Sequence, residues 1–360
     1  MSAFIQKGRA VKPAAFLSLL LSPYELYAAE LYHRENTRME LLGEINGQRL
    51  FTSDREEEGD DSFARFALIG ETPLTESLAG YGEVEYKIHA YGAEDNDGLT
   101  TELAFAGITW DSRISVDYGR NEGLLYDTAA GTDVLPVFGN DTYTETDNFM
   151  AGRAGNLVTL RTLEGLWMVE GLDFAVQYQG KNTRPGDPQR QNGHGWGTSV
   201  NYATDFGLSV GAVYVRSDRT DEQKNTLSNQ ASRADAWATL LKYEGSSLYF
   251  AATWGETHNM TAIDEEVASK TRNVEVVTQY QFDSGLRPSI AWLQSVADTE
   301  EHKRFDRVKY LDLALFYDLN DNFTLFADYK VNMLRTGDDA VKEFGLSTDN
   351  IMAVGMAYTF

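Results

Sequence analysis

The chain has 360 residues, 31 Lys and Arg against 55 Asp and Glu, a formal charge of -24, no cysteine and an aromatic share of 12%. The acidic excess excludes nucleic acid as a partner, because a phosphate ligand needs a basic footprint, and the lack of cysteine removes disulfide frameworks, Cys-ligated zinc, iron–sulfur clusters and thiol catalysis. Apolar runs of no more than about eight residues fall short of the roughly 20 that a spanning helix requires, whereas a membrane β-barrel needs only about ten residues per strand with every second one apolar.

Residues 1–28 read as a secretory signal peptide. Lys7, Arg9 and Lys12 precede the apolar stretch from Pro13 to Leu21, Ser22 and Pro23 break it, and the small residues Ala28 and Ala29 follow, with cleavage expected after Ala28. From residue 29 one unit repeats: about ten residues of apolar and polar alternation, then a tight turn or a longer polar loop. Strands are predicted near 38–51, 62–70, 80–90, 100–110, 114–120, 153–162, 172–181, 196–204, 207–216, 234–243, 247–255, 273–282, 287–296, 307–318, 323–333 and 351–360. Sixteen is an even number, as single-chain bacterial barrels have. Leu208, Val210, Ala212 and Tyr214 share one parity, as do Leu248, Phe250, Ala252 and Trp254, and again Phe323, Leu325, Ala327, Tyr329 and Val331. Each such strand has one apolar and one polar face.

Short turns rich in Gly, Asp, Asn and Ser fall at 204–207, 244–247, 282–285 and 318–322. Long polar connections fall at 52–61, 89–99, 182–195, 217–233, 256–272, 297–304 and 334–349, and the two kinds are expected to alternate strictly, short turns at one end of a barrel and long loops at the other. One connection stands apart. Between Asn121 and Arg153 runs a stretch carrying Leu124, Leu125, Tyr126, Val134, Leu135, Val137 and Phe138, too apolar to lie in water. Long structured loops of this kind usually serve function. In a barrel this one can bury its apolar side only against the inner wall, where it narrows the lumen. The chain closes on Ala357-Tyr358-Thr359-Phe360, an amphipathic strand ending in an aromatic residue.

Asp117-Tyr118-Gly119-Arg120-Asn121, Tyr126-Asp127, the run from Thr132 to Gly139, Asp141-Thr142, Gly152-Arg153, the run from Gly171 to Asn182 and the terminal Tyr358-Thr359-Phe360 closely resemble the general diffusion porins of enteric bacteria. The resemblance covers essentially the whole chain after residue 28. It implies an all-β fold, a 16-stranded antiparallel transmembrane β-barrel with an inward-folded third loop, occupying residues 29–360 as a single pore domain. It further implies an outer-membrane location, a homotrimer, passive diffusion of ions and small hydrophilic solutes, and no cofactor. Lipopolysaccharide and lipid are the expected surroundings, and the barrel-assembly machinery is expected to read Tyr358 and Phe360.

In that family a row of basic side chains on the wall faces acids on the third loop. The loop acids match Asp133 and Asp141, with Glu85 a further acid on the wall, Tyr126 lining the loop, and Val137 standing where a second loop acid is normal. The basic row matches Glu44, Arg65, Glu102 and Arg153, so two of its four members have reversed sign. Alternation supports the assignment: Glu44 shares a face with Glu40, and Glu102 is expected to oppose Leu103 and Phe105. Rings of acids favour cations, so a cation-selective pore with a weakened transverse field is expected. The alternative is that Glu44 and Glu102 pair with Arg65 and Arg153 and leave selectivity near the family norm. Glu94 matches a residue that latches onto a neighbouring subunit near the arginine corresponding to Arg120.

Two other function classes compete. An outer-membrane barrel enzyme needs a nucleophile and base; His194 near Ser199 is the least poor pair, and no HExxH, GxSxG or phosphate-binding glycine loop is present. A plugged receptor or adhesion barrel predicts no conductance. A substrate-specific pore would need an aromatic track, and Trp110, Trp196 and Trp254 fit interfacial girdles better.

Overall fold

Alternation at every second residue is realised as sixteen antiparallel strands. They are β1 (Thr37–Phe51), β2 (Phe63–Pro73), β3 (Leu78–His89), β4 (Leu99–Trp110), β5 (Ile114–Glu122), β6 (Arg153–Thr162), β7 (Leu172–Gln179) and β8 (Gly195–Ala203). The second half comprises β9 (Leu208–Asp218), β10 (Arg233–Glu244), β11 (Leu248–His258), β12 (Lys270–Tyr280), β13 (Leu286–Asp298), β14 (Phe305–Asn320), β15 (Phe323–Asn332) and β16 (Ile351–Thr359). This computed structural model describes residues 29–34, 37–54, 57–94, 98–163, 169–227, 229–264 and 266–360, so the signal peptide expected at 1–28 lies outside the described residues. Each strand pairs with its sequence neighbours, and β1 pairs with β16 from Glu44 opposite Thr359 to Phe51 opposite Met352. The sheet is thereby closed and has no free edge.

The two parities meet different surroundings. Val158 and Leu160 on β6, Val176 and Tyr178 on β7, and Leu313, Leu315 and Tyr317 on β14 are exposed, while Thr159, Gln177, Ala314 and Phe316 between them are buried, as is Asp312 before Leu313. Trp110, Trp196 and Trp254 lie on the exposed apolar parity. An apolar surface that continues around the barrel has hydrocarbon as its solvent, since soluble monomers rarely expose patches beyond a few hundred Å².

Three details depart from the sequence expectation. Short segments at Ala29–Arg34 and Gly59–Asp60 add to β1, and Ala262–Ile263 pairs with Glu266–Val267 inside a loop. Next, short and long connections do alternate along the whole chain, but the two kinds overlap in length: residues 163–171 at the short-turn end outnumber residues 299–304 at the long-loop end. The third is a correction of parity on β4. Leu103 and Phe105 are buried on the inner face, while Ala104, Ala106, Ile108 and Trp110 face outward. Glu85 pairs with Leu103 and Tyr86 with Thr101, which leaves Glu102 as an extra residue in a β-bulge. Glu102 reaches the lumen because the bulge turns it there, not because it opposes Leu103 and Phe105.

The carboxy-terminal residue completes the closure. Phe360 exchanges two backbone hydrogen bonds with Gly43, 2.8 and 2.9 Å. Its ring lies so close over Gly43 that a Cβ there would meet ring carbon at 2.3 Å. Tyr358 stacks on Phe360 at 5.7 Å.

Candidate functional site

Residues 123–152 cross the inner face of the barrel, fixed to it in three places. At the root, Leu124, Leu125, Tyr126, Ala129 and Ala130, around the short helix α1 (Tyr126–Ala129), join an apolar cluster with Val213 and Val215 of β9 and Ala234, Ala236 and Ala238 of β10. Asp127 takes a bidentate pair from Arg161 of β6, 2.9 and 2.8 Å, and a hydrogen bond from Ser199 Oγ at 2.6 Å. In the middle, Glu275 of β12 accepts from the hydroxyls of Thr132 and Thr142, both at 2.6 Å, while Tyr249 donates to the Gly131 carbonyl and Gln279 to that of Val134. Further along, Asp328 of β15 accepts the backbone N–H groups of Val137 and Phe138 at 3.1 and 3.2 Å. Leu135 and Val137 pack against Ala314, Phe316 and Phe326 there. The apolar residues that made this segment unlike the other loops are therefore those that seat it. Gly123 at its entry faces the Met150 carbonyl, which a Cβ would approach to 2.3 Å.

A cavity of about 410 Å³ remains between this segment and the wall made by β1, β2, β3, β5 and β6. On the wall side, Arg65 is surrounded by acids: Nε lies 2.7 Å from Glu102 Oε2 and 3.3 Å from Glu85 Oε1, and Nη1 lies 3.8 Å from Glu44 Oε2. Glu102 also meets Arg153 at 2.9 Å. Two guanidinium groups thus share three carboxylates, so the pairing weighed as an alternative from the sequence is present. Lys87, opposite Arg65 in the β2–β3 ladder, is the cation that sequence reasoning missed. Its ammonium lies 4.2 Å over the Phe63 ring and, among the described residues, within 4.0 Å of no carboxylate. Its parity was legible, since it stands two residues beyond Glu85.

On the segment side, Asp133 accepts from Tyr126 Oη at 2.7 Å and from Asn140 Nδ2 at 3.3 Å. Burial pushes the Asp133 carboxyl above the usual aspartate range, against the hydrogen bond from Tyr126 and the charges of Arg65 and Arg153. Val137 also lines the cavity. Asp141, the other matched loop acid, meets the wall of β14 and β15, where Tyr310 Oη donates to it at 2.9 Å and Lys330 Nζ lies 3.3 Å away. Glu122, Asp61 and Glu145 join the lining unannounced by any motif; with Glu44 and Asp133 they set five carboxylates against Arg65, Lys87 and Arg153.

The remaining predicted residues are spread over the barrel. Arg120 pairs with Asp147 at 2.7 Å, Arg184 reaches the same carboxylate at 3.0 Å, and Glu94 is exposed in the β3–β4 loop. Ser199 and His194 do not form a nucleophile–base pair: Ser199 donates to Asp127, and His194 Nδ1 lies 2.7 Å from Tyr178 Oη on the outer parity.

Comparison with known proteins agrees with this architecture. Residues 34–360 match the family described as Gram-negative porin. The chain is 44% identical over 356 residues, 96% of its own length and 98% of the relative's, to the outer membrane porin protein OmpD of Citrobacter koseri. It is 41% identical over 368 residues, with the same coverage of both chains, to the outer membrane protein F of Serratia marcescens. Among solved structures, that of Salmonella typhi OmpF in complex with daunomycin superposes with a TM-score of 0.85 at 36% identity, covering 92% of this chain and all of the other. The Vibrio cholerae outer membrane protein OmpT lacking loop L8 shares the fold alone, with a TM-score of 0.65 at 13% identity over 90% of this chain and 99% of that one.

Proposed function

The chain belongs to the Gram-negative porin family, and from that premise we propose that its outer-membrane diffusion channel favours cations and has lost most of the transverse field across its constriction. One observation carries this reading: Arg65 and Arg153, the positive side of the gap, are held by Glu44, Glu85 and Glu102 on the same wall. A field across a gap needs opposite charges on opposite sides. Here both arginines of the positive side are compensated locally, which leaves Lys87 over Phe63, the facing segment keeps Asp133 but has Val137, and the lining carries an excess of carboxylates. Pairing weakens the dipole without removing the net negative charge, and a K+ ion therefore meets a lower barrier than Cl-. A planar-bilayer reversal potential in a KCl gradient tests the reading. Cation preference is expected; anion preference, or none, sinks it.

Asp133 gives this selectivity a pH dependence. Because burial raises its carboxyl above the ordinary aspartate range, protonation on acidification begins at a higher pH than for an exposed aspartate, and cation preference falls as that charge is lost. Asp133→Asn should lower K+ over Cl- preference at neutral pH by roughly two- to threefold, the effect on the two ions of one charge some 8 Å from the ion path in water once screening is deducted, and flatten the acid limb. An unchanged pH profile in the variant counts against the assignment.

We further infer a homotrimer latched through Glu94. Arg120 and Arg184 converge on the single carboxylate of Asp147, which leaves local positive charge for the Glu94 loop of a neighbouring subunit. Glu94→Gln should lower the temperature at which trimers dissociate on semi-native gels, and trimers of unaltered heat resistance would remove the latch.

A further inference from the structure

The loops 259–269, 299–304 and 333–350, all at the long-loop end, are packed into one body. Ile263, Ala268, Ala297, Phe305 and Ala340 form its apolar core, with Phe344 and Leu346 against it. His302 sits on this body, edge-on to Phe305 and Phe344 with ring centroids 6.1 and 5.6 Å away, and its backbone N–H donates to Thr299 Oγ1 at 3.0 Å. The imidazole is thus oriented by packing before any ligand arrives. Its Nε2 lies 2.9 Å from Glu343 Oε2 on the helix α2 (Asp339–Glu343), and Glu301 stands beside both. Donor atoms of the three residues all lie within 4.8 Å of one another. The charged groups facing His302 are Glu343, Glu301 and Glu266, every one negative. The adjacent Lys303 turns its ammonium away to the Thr299 carbonyl.

We propose that Glu301, His302 and Glu343 form a binding site for a divalent transition-metal ion of the zinc type, which clamps the 299–304 loop to α2. One imidazole nitrogen and two carboxylates are a donor set that zinc accepts at about 2.0–2.2 Å, leaving a position for water. Ligands on one such ion stand about 3.3–3.5 Å apart, so the His302–Glu343 pair is already near that spacing and only the exposed Glu301 has to close in. Zinc takes the place of the imidazole proton. The imidazole also sets the selectivity, because Mg2+ and Ca2+ prefer all-oxygen shells. This site lies outside the membrane-spanning strands and is independent of the constriction and its charges.

The test is titration calorimetry of ZnCl2 into the folded full chain in detergent, with excess MgCl2 present to occupy generic acidic surface. One zinc per chain is expected, weakened at least tenfold in both His302→Ala and Glu343→Gln and retained in His194→Ala, whose ring stacks on Tyr178 on the outer parity. Zinc should also slow proteolysis within 333–350 in the parent chain and not in His302→Ala, and the heat-resistant gel band of each variant verifies folding. The proposal is overturned if the parent binds no zinc above the MgCl2 background, if His302→Ala binds it as tightly as the parent, or if Mg2+ displaces it at equal concentration.

Discussion

Glu44→Gln combined with Glu102→Gln should shift the reversal potential in a KCl gradient toward anions, reducing the K+ to Cl- permeability ratio roughly three- to tenfold. One unit charge some 8 Å from the ion path in water contributes about 0.5 kcal/mol, so removing two changes each ion's barrier by about 1 kcal/mol, with opposite sign for cation and anion and some loss to screening. The double change also releases Arg65 and Arg153 from the carboxylates that hold them at 3.8, 2.7 and 2.9 Å. Lys87→Gln supplies the opposite arm. Its ammonium is held over Phe63 and lines the same cavity, so losing it should strengthen cation preference. Two variants moving the potential in the same direction would contradict the charge balance described for the constriction.

Arg161→Ala should destabilise the folded barrel by about 3 kcal/mol and make single-channel current noisier. Removing one partner of a buried ion pair leaves an uncompensated charge, a loss of about 3–5 kcal/mol. The lower end applies because the Arg161 side chain keeps 22% of its surface in water, while that of Asp127 keeps 2%. Asp127 then keeps its hydrogen bond from Ser199, and the root of the inserted segment rests on its apolar cluster. Arg161→Gln with Asp127→Asn, which removes both charges at similar volume, should recover most of the loss. Thermal unfolding in detergent and current variance in planar bilayers read the two effects. Equal stability of Arg161→Ala and the parent would show that this root does not depend on the pair.

Strand positions were legible because each strand lies between two solvents and writes both into its alternation; Val158 and Leu160 around Thr159 need no other information. The inserted segment was legible from its misplaced hydrophobicity, and Leu124, Leu125 and Val134 do bury against strands of the inner face. Beyond the pairing of Glu44 and Glu102 with Arg65 and Arg153, which the sequence offered as an alternative, what could not be read was which charges meet. Asp141 finds Lys330 across 189 positions of sequence, and Glu122 enters the lining through the shape of the whole lumen. Such pairings are set by closure of the barrel. Alternation carries the face of each side chain but not its height or its partner.

The bulge on β4 bears on how such a channel can vary. A one-residue slip in a strand ordinarily turns every following side chain to the opposite face, yet Thr101 before Glu102 and Ala104 after it both face outward, with Leu103 inward beside Glu85. Removing Glu102 would therefore leave regular alternation, Thr101 out and Leu103 in. The lumen can gain or shed a whole charged side chain here by insertion or deletion of one codon, without exchanging lipid-facing for water-facing residues anywhere else in the strand.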